Sequence, residues 1–132
     1  MSAQSLAIVF LGGGLGSALR FALVSLIKPS APDFPLGTLA VNLLGCALIG
    51  ALAGALEESP LGRSSTLWLL LAIGVLGGFT TFSALAIETV DMLRDGRNGS
   101  AAAYVLLSNV GGLMLAAAGW WAAQSLTPGR AA

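Results

Sequence analysis

Histidine is absent from the 132 residues, cysteine occurs once, and the six basic and six acidic residues make up only 9% of the chain. Each shortage excludes something. Without imidazole there is no histidine-based metal centre or proton relay, and most familiar catalytic constellations cannot be assembled. A formal net charge of zero gives no basic surface for nucleic acid. The single Cys46 has no partner for an internal disulfide, lies within an apolar segment, and reads as a small packing residue. Soluble domains carry roughly 25% charged residues. At 9% charged and 56% hydrophobic, this chain reads as a membrane protein, and an enzyme is the class its composition supports least.

Four apolar segments of spanning length are present, at about residues 6–27, 37–56, 66–92 and 101–123. The stretch Lys28-Pro29-Ser30-Ala31-Pro32-Asp33-Phe34-Pro35 cannot continue a helix, because proline lacks a donor and restricts the residue before it. Glu57-Glu58-Ser59-Pro60 ends the second segment, Asp95-Gly96-Arg97-Asn98-Gly99 closes the third, and Thr127-Pro128-Gly129-Arg130 forms a short polar tail expected to fray. Such short connections leave no room for a soluble domain, so residues 1–132 read as one all-α transmembrane domain. The first segment reads as a retained span, since it lacks a basic leading region and its apolar run is too long for a signal peptide.

Gly12/Gly16, Gly50/Gly54 and Gly74/Gly78 share the four-residue spacing of small residues that lets helices approach closely, and together they predict a compact bundle. Trp68, Trp120 and Trp121 suit anchoring at the membrane interface. Lys28, Arg94 and Arg97 fall on one side of the spans and Arg63 and Arg130 on the other, so the basic bias that sets orientation is close to nil. A chain without bias can insert both ways up and pair as an antiparallel two-fold dimer; a single orientation set by other features is the alternative.

The third segment would be roughly 40 Å long as one helix, against a hydrocarbon core of about 30 Å. It is interrupted by Gly77-Gly78-Phe79-Thr80-Thr81-Phe82-Ser83. Backbone carbonyls released by such a break are tolerated in a bilayer only where they face protein, water or an ion, and discontinuous helices often mark ion sites. A glycine-lined contact between helices would leave the same pattern.

Polar groups recur at helical spacing around this break. Thr38 and Asn42 share a face continued by Gly45 and Ile49, and Tyr104, Ser108 and Gly112 form a second stripe with Asn109 beside it. Thr81, Leu85 and Glu88 lie on one side of the third segment with Phe82 adjacent. Asn42 offers amide donors either to a neighbouring helix or to a ligand. The weakly positive edge of Phe82 can meet an anion, although packing is the commoner role of phenylalanine. Arg20, two turns from the end of the first segment, either draws anions inward or snorkels to the interface.

Taken together, Arg20, Gly37-Thr38-Leu39-Ala40-Val41-Asn42, the Gly77 to Ser83 motif, Glu88 and Tyr104 resemble the Fluc (CrcB) fluoride channel family over nearly the whole chain. The resemblance implies a multi-pass protein of the bacterial inner membrane that exports fluoride passively and protects the cell. It further implies an antiparallel dual-topology dimer with two pores and a central structural sodium ion. By position, the backbone carbonyls of Gly77 and Thr80 would hold the sodium. Asn42 and Phe82 would line each pore, Thr38, Thr81, Glu88, Tyr104 and Ser108 would continue the polar track, and Arg20 would sit near the vestibule. Leu85 stands where the family usually has a second phenylalanine, Ala86 where serine follows, and Gly112 at a further polar track position. These departures bear on conduction and selectivity, and a heteromeric paralogue supplying the missing ring is the alternative to a homodimer.

Two readings from other classes compete. A proton-coupled exporter like the small multidrug transporters also uses four short spans, but needs an acidic residue in the first span, and this one has none. A non-transporting assembly subunit would account for the glycines and leave the broken helix and polar stripes unexplained.

Overall fold

The structure, a computed structural model, describes residues 2–27, 34–57, 62 and 65–126. Among these all regular structure is helical and falls into four helices long and apolar enough to cross a membrane: Ala3–Leu26, Leu36–Leu56, Thr66–Arg94 and Asn98–Ser125. The expected segments therefore recur with ends shifted by a few residues, the fourth gaining a turn at its start. Lys28, Arg63 and Arg130, three of the five residues on which the orientation argument rests, lie outside the described residues, as do the prolines from Pro29 to Pro32, Pro60 and the tail from Thr127.

Hydroxyl side chains begin the first and third spans. Ser2 Oγ accepts the Ser5 N–H at 3.1 Å, and Ser65 Oγ accepts the Trp68 N–H at 3.2 Å, each satisfying a donor that the first helical turn cannot. The hairpin between the third and fourth spans is fixed by Gly96 at φ +75°, a left-handed conformation open to glycine at no steric cost. Around it the Arg97 N–H reaches the Met92 carbonyl at 2.8 Å and the Gly96 N–H reaches that of Leu93 at 3.1 Å, closing the helix end.

Two helix pairs make the bundle. The first span packs on the opening half of the third, and the second span packs on the closing half of the fourth. Glycine backbones form both seams: a Cβ on Gly16 would overlap the Val75 carbonyl oxygen, and one on Gly78 would overlap the Gly13 carbonyl. Across the second seam, added Cβ atoms on Gly50, Gly54 and Gly119 would collide with the carbonyl oxygens of Ala116, Trp120 and Ala47. Between lipid-soluble helices there is no hydrophobic drive, so dispersion across such backbone contacts supplies the attraction. Gly50→Val is therefore expected to abolish monodisperse protein in detergent, because rigid backbone, not a yielding side chain, occupies the space. Gly99→Ala, with open space around its Cβ and a position inside a helix, is expected to be neutral or to stabilise by up to about 1 kcal/mol in thermal unfolding.

Large apolar side chains such as Phe10, Phe21 and Leu113 point outward, as lipid-facing helices require. The inward cluster is small. Tyr104 and Met92 are buried with Leu39, Leu85 and Ala101, and the Phe34 ring meets Tyr104 edge-on at 5.6 Å. Trp120 and Trp121 stack edge to face near the end of the fourth span, where the Gln124 amide donates to the Glu57 carboxylate of the second.

Neither long helix in the second half of the chain is regular. The third is π-helical over Leu69–Leu76 and the fourth over Leu107–Gly111. Single π turns commonly sit at functional positions. Nothing in the apolar periodicity signals either.

Candidate functional site

The third span changes partners at its middle, and there the helix breaks. Its opening half ends at Phe79, a new helix starts at Phe82, and between them Thr80 and Thr81 are extended, at φ −87°, ψ 155° and φ −149°, ψ 118°. The Thr81 hydroxyl caps the new helix by accepting the Ala84 N–H at 3.2 Å. The side chain of Asn42, from the second span, clamps the Thr81 backbone. Its Oδ1 accepts the Thr81 N–H at 2.8 Å and its Nδ2 donates to the Thr81 carbonyl at 3.0 Å. That pair also fixes which way the amide points, because the peptide offers one donor and one acceptor.

With its N–H given to Asn42, Thr81 no longer closes the helical ladder onto the Gly77 carbonyl. On the other side of the break, Ser17 Oγ of the first span donates to the Gly78 carbonyl at 3.3 Å. The backbone is thus held from two neighbouring spans while carbonyl oxygens at Gly77 and Thr80 stay outside the helix pattern.

A groove of about 320 Å³ runs along this region, lined by Asn42, Gly45 and Cys46 of the second span, Gly77, Thr80, Thr81, Phe82 and Leu85 of the third, and Ser108 and Asn109 of the fourth. Most of its wall is apolar. Ser108 Oγ is buried in it without a hydrogen-bond partner among the described residues, and Asn42 has a second amide N–H beyond the one it gives to Thr81. Phe82 is 76% exposed while Leu85 is buried at 7%, so the two neighbours divide: one ring projects outward and the leucine borders both the groove and the Tyr104 cluster.

Thr38, Glu88 and Tyr104 form a second, separate cluster. Thr38 Oγ1 donates to Glu88 Oε1 at 2.7 Å and the Tyr104 hydroxyl donates to Oε2 at 2.5 Å, so three spans meet on one carboxyl group. Tyr104 is fully buried; a second pocket, bounded by Phe34, Gly37, Thr38 and Glu88, opens beside it. Arg20 joins neither group. It is half-buried on the first span, and its Nε has no hydrogen-bond partner among the described residues.

The anticipated residues thus divide between two places. Asn42, Gly77, Thr80, Thr81, Phe82, Leu85 and Ser108 share the groove, and Thr38, Glu88 and Tyr104 share the carboxyl cluster. Ser17 and Asn109 were not among them. Asn109 stood beside the fourth-span stripe; it lies in the π-helical stretch and lines the groove next to Ser108. Ser17 carries no signal beyond lying one residue after Gly16.

These features define a polytopic all-helical membrane protein with a discontinuous third helix. Comparison with known proteins gives it a family. Residues 7–120 match the family described as CrcB-like protein, Camphor Resistance (CrcB). A protein of Methylobacillus flagellatus named "Fluoride-specific ion channel FluC" is 47% identical over 110 residues, covering 82% of this chain and 85% of the relative. Proteins of the same name from Novosphingobium aromaticivorans and Phocaeicola vulgatus are 46% and 39% identical, over 81% and 92% of this chain and 86% and 99% of theirs. The chain belongs to the CrcB family.

Proposed function

We propose that this chain is a fluoride channel of the bacterial inner membrane, passing the anion passively outward, and not an enzyme. The observation that carries the reading is the break at Thr80 and Thr81, fixed by Asn42 on the wall of a groove that also holds unsatisfied donors. A small anion sheds tightly held water only where fixed donors replace it, and the free amide N–H of Asn42, the hydroxyl of Ser108 and the edge of Phe82 offer such groups in an apolar setting. An amide and hydroxyls stabilise without the tight binding that a full charge would impose.

The groove lies open along the side of one chain, so a second copy in antiparallel orientation completes the walls and gives two pores, one per groove. A heterodimer with a paralogue is the alternative assembly. Cysteines introduced at Ser2 and Asn98 are then labelled from both sides of the membrane; one fixed orientation in every molecule would remove the dual topology.

The freed carbonyls of Gly77 and Thr80 fit a hard monovalent cation, since oxygen donors without charge suit sodium and nothing else in the span compensates them. When bound, the ion supplies positive charge that offsets the cost of bringing an anion into a low-dielectric region. The protein's own task is to keep those two oxygens out of the helix, which the Asn42 clamp does.

Purified protein in liposomes loaded with fluoride is expected to empty them on addition of a potassium ionophore, as read by a fluoride electrode. Chloride-loaded vesicles should stay full. Equal chloride and fluoride efflux, or none of either, would remove the reading; proton-driven cation export would replace it with the exporter alternative. In the same assay Leu85→Phe is expected to raise fluoride efflux several-fold, because a ring edge then borders the groove beside Phe82. No change would place Leu85 in the Tyr104 core alone.

A further inference from the structure

We propose that Ser17 is a positioning residue for the cation at the break, one that decides which carbonyl oxygens the ion can use. The inference rests on the channel reading above and on its sodium site. Extension at Thr80 and Thr81 takes the backbone out of the helical pattern just after Phe79, so several adjacent oxygens lose their ladder partners together. They are then treated differently. The Gly78 oxygen receives the Ser17 hydroxyl at 3.3 Å from a position 61 residues away in sequence, whereas those of Gly77 and Thr80 receive no side chain.

Geometry makes serine suited to this role. A Cβ on Gly78 would overlap the Gly13 backbone, and one on Gly16 would overlap Val75 and approach the Phe79 nitrogen within 2.9 Å. The two backbones are therefore so close that a hydroxyl on a single carbon reaches across. Removing the hydroxyl leaves the Gly78 oxygen without a donor in an apolar surrounding, where the nearby ion is the available compensation. Its rotation toward the ion adds an oxygen and disturbs the Gly77 and Thr80 pair. More and looser oxygens suit a larger cation better than a small one.

The test reads ion dependence apart from transport. Melting temperature of the purified protein is followed against Na+ or K+ concentration, with N-methylglucamine as the replacing cation. The native protein should be stabilised at lower Na+ than K+. For Ser17→Ala the half-saturating Na+ concentration should rise, and the preference over K+ narrow, by about fivefold, equivalent to about 1 kcal/mol for one hydrogen bond. Ser17→Thr, which restores the hydroxyl, should return both values toward the native ones, and Ser17→Cys, a weaker donor of similar shape, should fall between. Native-like midpoints in Ser17→Ala, or in Ser17→Cys if the alanine variant does not fold, overturn the assignment while leaving the sodium site standing. A native protein indifferent to Na+ overturns both, and fluoride efflux measured on the same preparation shows whether the channel reading survives them.

Discussion

Asn42→Asp is expected to lower fluoride efflux by about 100-fold or more, and Asn42→Ala by distinctly less. The aspartate keeps an oxygen for the Thr81 N–H but sets its second oxygen against the Thr81 carbonyl, where the amide donates at 3.0 Å. One hydrogen bond becomes a repulsion, and the Thr81 carbonyl, as the N-cap of the second half-helix, keeps only its helical partner; the lost bond costs about 0.5–1.5 kcal/mol. An ionised carboxylate within the span adds ~3 kcal/mol and repels an anion on the same groove wall. Since 1.4 kcal/mol is about tenfold, the charge alone accounts for a loss of about two orders of magnitude. Asn42→Ala removes both bonds without adding charge, so a larger loss in the aspartate variant, which keeps one of them, is due to the charge and not to the clamp. Size-exclusion profiles and efflux on matched amounts of protein measure the two. Native efflux from Asn42→Asp would show that Asn42 neither holds the break nor faces the path.

The spans and the break were legible in the sequence because each is a local property. Twenty or so apolar residues between prolines or charged pairs are enough to mark a membrane helix, and Gly77-Gly78 followed by Thr80-Thr81 marks the point where the third one ends and restarts. The glycine seams were legible as spacing, although only the structure shows that Gly12 and Gly16 face the third span and Gly50 and Gly54 the fourth. Asn42 could be read as helix glue or as a ligand contact. It is bound into the fold through Thr81 and also lines the groove, and the choice depended on a contact 39 residues distant.

Other parts depended on tertiary geometry from the outset. Thr38 and Glu88 are 50 residues apart, and no periodicity within either helix indicates that their side chains meet. A count in steps of 3.6 puts Ser108 on the stripe and Asn109 beside it, whereas both line the groove, and the π-helical stretches at Leu69–Leu76 and Leu107–Gly111 leave no mark in such a count. Leu85 illustrates the same limit: spacing put it next to Phe82, yet one is exposed and the other buried, because the fourth span covers only one of them.

The carboxyl of Glu88 carries the second large effect, expected in the combined variant Thr38→Val/Tyr104→Phe. Each hydroxyl donates to a different oxygen of the same group, at 2.7 and 2.5 Å, and each single substitution leaves the other donor in place. Bonds to a charged acceptor contribute about 1.5–3 kcal/mol, so either single change should lower stability by about that amount. Both changes together leave a half-buried carboxyl between three spans with neither donor, a situation that costs more than the two losses added, themselves about 3–6 kcal/mol. Adding Glu88→Leu to the double variant removes the unsatisfied group and is expected to recover much of the loss, as an apolar replacement for a buried polar cluster often does. Thermal unfolding of the native protein, the two single variants and the double variant in detergent gives the coupling energy, and the triple variant gives the recovery. Additive single effects, or no recovery on adding Glu88→Leu, would mean that the three side chains do not act as one unit joining the second, third and fourth spans.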